Sequence, residues 1–337
     1  MRIGFDAKRA FLNNTGLGNY SRDTIRVLSN YFPDNKYFLY TPKAKENSRL
    51  SFLNSNSNTF VRTPKSLLNR ALKSYWRSKS IVKDLFTNKI DIYHGLSHEL
   101  PLGIEKTSIK SVVTIHDLIF IRYPHLFSTI DRKIYLKKFK SACERADKII
   151  AISQQTKQDI IDFLEIPESK ITVVYQGCNN IFQKPIAESK KEETLKKHNI
   201  PTEYLLNVGS IEERKNLLTL LQALKELPNQ KLVVIGNGKS YKIKCLRYIK
   251  EHNLSGRVMF LSNLTLEEMA VIYQSAQLMI YPSIFEGFGI PILESLFSKT
   301  PVITSKGGCF SEAGGKHSKY INPLSVKEMK EAILEIQ

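Results

Sequence analysis

Cysteine and tryptophan are scarce in this chain of 337 residues, which holds four of the first and one of the second. Cys143, Cys178, Cys245 and Cys309 are separated by 35, 67 and 64 residues. Those gaps fit neither a zinc site nor a redox pair, so free thiols in a reducing cytoplasm are expected. No run approaches the roughly 18 apolar residues that a spanning helix needs. The opening Met1-Arg2-Ile3-Gly4-Phe5 has no apolar signal core and reads as a first strand. Disulfide scaffolds, secreted chains and membrane spans are excluded as expectations on these grounds.

Acid is missing as well, in one place. No Asp or Glu occurs from Asn47 through Lys83, a stretch carrying eight Lys and Arg residues. The net charge of +18 divides as +13 over residues 1–180 and +5 over residues 181–337. An anionic partner on the first half follows from this asymmetry, whether a membrane surface, a nucleic acid or a phosphorylated substrate.

What is present is a rhythm. Hydrophobic residues make up 42% of the chain and charged residues 24%, the balance of a globular protein, and the length suits two domains. Short apolar runs, at Arg2–Ala7, Tyr37–Thr41, Ile90–His94, Ser111–His116, Lys148–Ile152 and Lys170–Tyr175, alternate with helix-period segments. The second half repeats the pattern at Tyr204–Val208, Lys231–Ile235, Arg257–Leu261, Leu278–Tyr281 and Pro301–Thr304. Ser153 stands where a hydroxyl N-cap belongs, ahead of a helix over Gln154–Leu164. Alternation of this kind predicts α/β architecture with parallel sheets covered by helices on both faces. The expected domains are residues 1–180 and 181–337, both Rossmann-like, with Phe182–His198 as a polar linker leading into a helix.

Ligands of such sheets bind beyond the carboxyl ends of the strands, so the loops there carry the chemistry. After the first strand comes Thr15-Gly16-Leu17-Gly18-Asn19-Tyr20-Ser21-Arg22, opening a helix. Glycines at a helix start let backbone N–H groups approach a phosphate, though a plain tight turn fits the same residues. Gly209-Ser210-Ile211-Glu212-Glu213-Arg214-Lys215-Asn216 places two cations where the helix dipole prefers acids. A bound diphosphate would resolve that conflict; a solvated loop is the alternative. Tyr281–Glu294 ends a strand, turns through Gly287 and Gly289, and starts a helix near Pro291. Its Glu286 and Glu294 lie eight residues apart, which spans about 12 Å of helix and more if extended, too far for a glycosidase carboxylate pair.

This last stretch resembles the E-x7-E motif of retaining, nucleotide-sugar-dependent GT-B glycosyltransferases, and the whole chain is similar to glycosyltransferase family four. The likeness extends from the Gly16/Gly18 turn through Thr114–Leu118 and Val173–Asn179 to Gly209–Asn216 and Glu286–Glu294. It implies a GT-B fold, two Rossmann-like domains with parallel sheets facing across an interdomain cleft. It also implies site residues. Glu294 would bind the donor ribose, while Glu286 with Gly287, Phe288 and Gly289 would hold the donor sugar and its phosphates. Lys215, with Arg214, would neutralise the departing diphosphate, and Gly16 and Gly18 would close over it. His116 would sit beside the transferred sugar, with His94 and Asp117 on the acceptor side. Relatives carry an Arg where Ser210 stands, which leaves Arg214 as its substitute. They also continue past the position of Gln337 with a helix crossing back onto the first domain.

The expected activity is retaining transfer of a hexosyl group, such as mannosyl, from a nucleoside-diphosphate sugar to a glycan or lipid-linked acceptor in polysaccharide synthesis. No cofactor or metal is expected, since the cations address the leaving group and no Asp-x-Asp motif occurs. Arg62–Lys83 combines Leu67, Leu68, Leu72, Tyr75 and Trp76 with seven cations. That composition suits peripheral contact with an anionic membrane at its cytoplasmic face, or a packed helix with a solvated basic side. A non-hydrolysing nucleotide-sugar epimerase of the same fold is the competing activity. A nucleic-acid-binding module would explain the charge but has no recognition motif, so no nucleic-acid partner is expected.

Overall fold

The computed structural model describes residues 1–336, which form two compact units, Met1–Gln176 and the residues from Gly177 onward. Each is built on one sheet. In the first unit the strands are β1 (Arg2–Asp6), β2 (Lys36–Tyr40), β3 (Thr59–Arg62), β4 (Ile92–Gly95), β5 (Lys110–Ile115), β6 (Lys148–Ala151) and β7 (Ile171–Val173). They lie in the order β3-β2-β1-β4-β5-β6-β7, every neighbour parallel. In the second unit β8 (Leu205–Val208), β9 (Leu232–Ile235), β10 (Val258–Leu261), β11 (Leu278–Tyr281), β12 (Val302–Ser305) and β13 (Ser318–Ile321) take the order β10-β9-β8-β11-β12-β13. Both are doubly wound sheets, and the order reverses between β1 and β4 in one and between β8 and β11 in the other.

Central strands are buried on both faces, which is why they read as continuous apolar runs. Leu205–Val208, Leu232–Ile235, Leu278–Tyr281 and Val302–Ser305 are buried at every position. Two strands escaped the sequence reading, β3 and β13. Both are edge strands with half-exposed residues, and Thr59–Arg62 and Ser318–Ile321 lack the apolar density that marks the others. Ser153 does cap Gln154–Leu164, its Oγ accepting from the Thr156 N–H. The segment after Phe182 holds the helix Glu188–Lys197.

Arg62–Lys83 departs from a single interfacial helix. It breaks into Leu67–Ala71, Lys73–Tyr75 and a wide π-turn at Trp76–Ser80. Trp76 is buried and donates its indole N–H to Asp84 Oδ2 at 2.6 Å, so it anchors the core and does not face a headgroup layer. Arg77 also turns inward, donating to Asp6 and Glu99. Leu67, Leu68 and Leu72 remain exposed.

Candidate active site

The switch point of the second sheet collects the loops after β8 and β11. The β8 loop is shaped by glycine at a position that needs it: Gly236, after β9, has φ +159°, and a Cβ there would lie 1.8 Å from the Gly209 carbonyl oxygen. Ile211 N–H then donates to Asn237 O at 2.8 Å, strapping the two loops together. Asn216 takes the left-handed conformation, φ +58°, and its amide donates to Pro282 O and Pro323 O at 3.3 and 2.6 Å. Arg214 and Lys215 are thereby held against the β11 loop.

There they meet Glu286. Lys215 Nζ lies 2.5 Å and Arg214 Nη1 2.7 Å from Glu286 Oε1, so one carboxylate oxygen meets two cations. Burial alone would raise the Glu286 carboxyl, but Lys215 and Arg214 outweigh it and hold the group down to about 2. Lys215 also donates to Tyr281 Oη at 2.6 Å, and Arg214 to Phe285 O and to Glu212 at 2.5 and 2.8 Å. Ser210 donates to that same Glu212 at 2.6 Å. Beneath the loop, the Cys309 thiol faces the carbonyls of Glu286 and Phe288 at 3.2 and 3.0 Å.

Gly289, at φ +117°, ends the loop, and the helix Ile290–Phe297 begins with Pro291 in its first turn. Glu294 is buried in that helix and accepts from the Tyr273 hydroxyl at 2.8 Å. Glu286 and Glu294 thus engage separate partners, a pair of cations for one and a phenol for the other.

In the first unit the switch point holds three buried histidines. His94 Nε2 is 2.8 Å from Thr114 Oγ1, a hydroxyl that Tyr20 Oη also reaches at 2.9 Å. His116 Nε2 faces the Leu96 carbonyl at 2.9 Å, so it carries the proton, and Nδ1 accepts from Gln176 at 3.3 Å. The His116 N–H donates to His98 Nδ1 at 3.4 Å, and the His98 ring stacks on Phe139. Burial pushes His116 down to about 4 and His94 to about 3, leaving both neutral near pH 7. Asp117 Oδ1 accepts from the Ile119 N–H at 3.2 Å. Gly16 opens the helix Gly16–Tyr31 with nothing within 4 Å of where a Cβ would sit. Gly18 packs with its Cβ position 1.9 Å from Asn13 O.

Residues 190–336 match the family model described as Glycosyl transferases group 1, and residues 16–180 match Glycosyltransferase Family 4. The chain is a family 4 glycosyltransferase. Among curated relatives of this glycosyltransferase, the O-antigen chain mannosyltransferase RfbU of Salmonella typhimurium is 27% identical over 78% of this chain and 69% of its own length. The serotype-specific mannosyltransferase WbdA of Escherichia coli is 27% identical over 70% of this chain, which corresponds to only 30% of WbdA. HepE of Anabaena, solved in complex with UDP-glucose, shares the fold at TM-score 0.76 and 16% identity, covering 99% of this chain and 89% of that one. The glycosyltransferase has the GT-B fold.

Within the second unit, the structure brings Arg214, Lys215 and Glu286 into direct contact, while Glu294 lies one helical segment on. Within the first, it gathers His94 and His116 around Thr114 and His98. Sequence reading passed over Tyr273, Tyr281, Asn216 and Cys309, which hold the acidic and basic residues in place. Asn216 alone left a trace, as an Asn directly after two cations and ahead of an apolar helix. His98, which no motif marks, joins the buried cluster with its backbone in the left-handed region, φ +63°.

Proposed function

We propose that this glycosyltransferase moves a hexosyl group, mannosyl by the likeness to RfbU and WbdA, from a nucleoside-diphosphate sugar to a glycan or lipid-linked saccharide in cell-surface polysaccharide synthesis. The observation that carries the reading is the Arg214–Lys215–Glu286 cluster at the switch point of the second sheet. It holds two fixed cations against one internal carboxylate, which is the place and the charge that a diphosphate requires. An arriving diphosphate takes over the cations and frees Glu286 for the donor sugar. Glu294, further along the helix, takes the ribose hydroxyls. To Gly16 and Gly18 we assign a part in phosphate binding, to His116, neutral and fixed by two ring hydrogen bonds, a part in handling the transferred sugar, and to His94 and Asp117 the acceptor side.

Positioned cations stabilise the developing charge on the leaving group, so departure needs no metal in this scheme. In this scheme Glu286 holds the donor sugar by hydrogen bonds and the transfer runs by front-side displacement with retention; a glycosylated Glu286 would overturn that mechanism. Work at the inner face of the membrane accords with four free thiols and with the exposed basic and apolar side chains of residues 62–83. No described helix is long and apolar enough to cross a membrane.

The test is nucleoside-diphosphate release from GDP-, UDP-, ADP- and dTDP-sugars with membrane-extracted lipid acceptors, for the native protein and Glu286→Ala. Acceptor-stimulated release with one donor, lost in the variant, is the expected result. A folded protein that binds none of the nucleotides would overturn the reading.

A further inference from the structure

A cavity of about 740 Å³ in the first unit is lined by none of the three clustered histidines and has no role in the scheme above. Its walls come from five crossover segments of the sheet. Residues 8–12 follow β1, 42–43 follow β2, 73–78 follow β3, 99–102 follow β4, and 134–145 come after β5. The stretches just after β1, β2 and β4 leave the carboxyl ends of their strands, the edge where sheets of this class take ligands, while Arg145, whose carbonyl accepts from Ser111 Oγ at 3.4 Å, closes the cavity near the start of β5. The volume falls within the range of small-molecule sites.

The lining has two chemistries. Seven cations face one acid, Glu99. Some of these cations are already engaged: Arg77 by Asp6 and Glu99, Arg145 by Glu105 at 3.5 Å, Lys138 by Glu99 at 3.7 Å. Lys8, Lys43, Lys73 and Lys137 have no carboxylate in ion-pair reach among the described residues. Burial, then the neighbouring Arg77 and Arg9, pulls the Lys8 ammonium below its usual range against the opposing pull of Glu99 and Asp6. Alongside them run apolar side chains open to solvent: Leu12, Tyr75 and Ile134, with Leu102 half exposed at 50%. Just before Lys73 come Leu67, at 83% exposure, Leu68 and Leu72. Exposed apolar surface continuous with a concave site marks a ligand.

A bare anion would leave both the volume and the apolar wall unused. A neutral apolar ligand would leave four unneutralised lysines around it. We propose that this cavity binds a phosphate or diphosphate ester carrying an apolar chain, the anion among Lys8, Lys73 and Lys137 and the chain along Tyr75, Leu102 and Ile134. The assignment rests on the glycosyltransferase reading and adds to it the anchoring end of the acceptor.

The experiment is calorimetric titration of the full chain with geranylgeranyl diphosphate, inorganic pyrophosphate and geranylgeraniol, beside nucleoside diphosphates as a control. The variants are Lys73→Glu/Lys137→Glu and Leu102→Ser/Ile134→Ser, at exposed positions that do not hold the core. Geranylgeranyl diphosphate should bind at least tenfold more tightly than pyrophosphate, and geranylgeraniol should not bind. Each double variant should lose tenfold or more for that ester while nucleoside diphosphates bind as before. Unchanged affinity in the charge-reversed variant overturns the proposal, as does an ester no tighter than pyrophosphate. Phosphatidylglycerol vesicles form the second arm. Charge reversal that frees the protein from vesicles but spares the soluble ester would assign the cations to a bilayer surface and overturn the cavity. Loss of nucleoside-diphosphate binding in the native protein would sink the transferase reading itself, whereas its persistence without ester binding would sink only the cavity.

Discussion

Lys215 Nζ and Glu286 Oε1 stand 2.5 Å apart, each nearly withdrawn from water, on residues 71 positions apart in the chain. Arg214 completes the cluster from the side at 2.7 Å. A buried charge pair is a modest source of net stability, but stripping one partner leaves the others desolvated and unpaired, at about 3–5 kcal/mol. Glu286→Gln should therefore lower the melting temperature by several degrees. Added nucleoside diphosphate should raise it more in the variant than in the native protein, because the ligand supplies the missing anion. Equal ligand-induced shifts in the two proteins would refute that exchange of anions.

The same carboxyl sets an acid limit. Its folded value of about 2 lies below its ordinary 4.5, so it contributes stability above pH 4.5 that is lost as pH falls through 2. Urea unfolding between pH 5 and 3 should show a shallower acid loss in Glu286→Gln than in the native protein, and parallel curves would deny the carboxylate this part.

Lys215→Met is the kinetic counterpart. Removing a cation that stabilises a leaving group costs about 10²–10³ in turnover, by analogy with deleting one oxyanion-hole donor. KM for the donor should move by less, since the interaction grows as the diphosphate departs. A kcat equal to that of the native enzyme would remove Lys215 from the chemistry.

Gly16 and Gly18 should part company. A Cβ on Gly18 would overlap Asn13 O at 1.9 Å, so Gly18→Ala must displace the turn and lower the melting temperature. Gly16 has open space around it, and Gly16→Ala should fold with unchanged stability while raising the donor KM. Equal melting temperatures for the two variants would show that the turn yields to a side chain.

The buried histidines act in the same acid range by the opposite chemistry, gaining a charge where Glu286 loses one. His116 at about 4 and His94 at about 3 sit below the ordinary 6.5, so the unfolded chain binds more protons between those values. Stability must fall on acidification from pH 6.5 toward 4, the fully expressed shifts being worth about 3 kcal/mol for His116 and about 5 kcal/mol for His94. Replacing His94 with Gln should flatten that decline in chemical denaturation. A slope unchanged by the substitution would mean that His94 is not withdrawn from the solvent proton.

The parallel strands were legible because burial on both faces writes them as unbroken apolar runs, and Leu278–Tyr281 was read to the residue. Edge strands β3 and β13 write no such run. Arg214, Lys215 and Glu286 were visible as chemical types in turn-forming surroundings, but their mutual contact joins two loops that only the sheet order brings together. Trp76 stayed between a packed and a membrane-facing reading for a related reason. Its neighbours Leu72 and Tyr75 are exposed and cationic residues flank it, so local composition pointed outward, while the acceptor of its indole N–H, Asp84, lies in the next helix.

That buried indole is the chain's single tryptophan, and it belongs entirely to the first unit. Tryptophan emission is therefore a private signal of that half, bright or shifted as its core opens and silent on the other. Calorimetry, which registers heat from both halves, records the whole. Where the two curves part on heating or in denaturant, the difference between them is the unfolding of the second unit, read without a label or a cut in the chain.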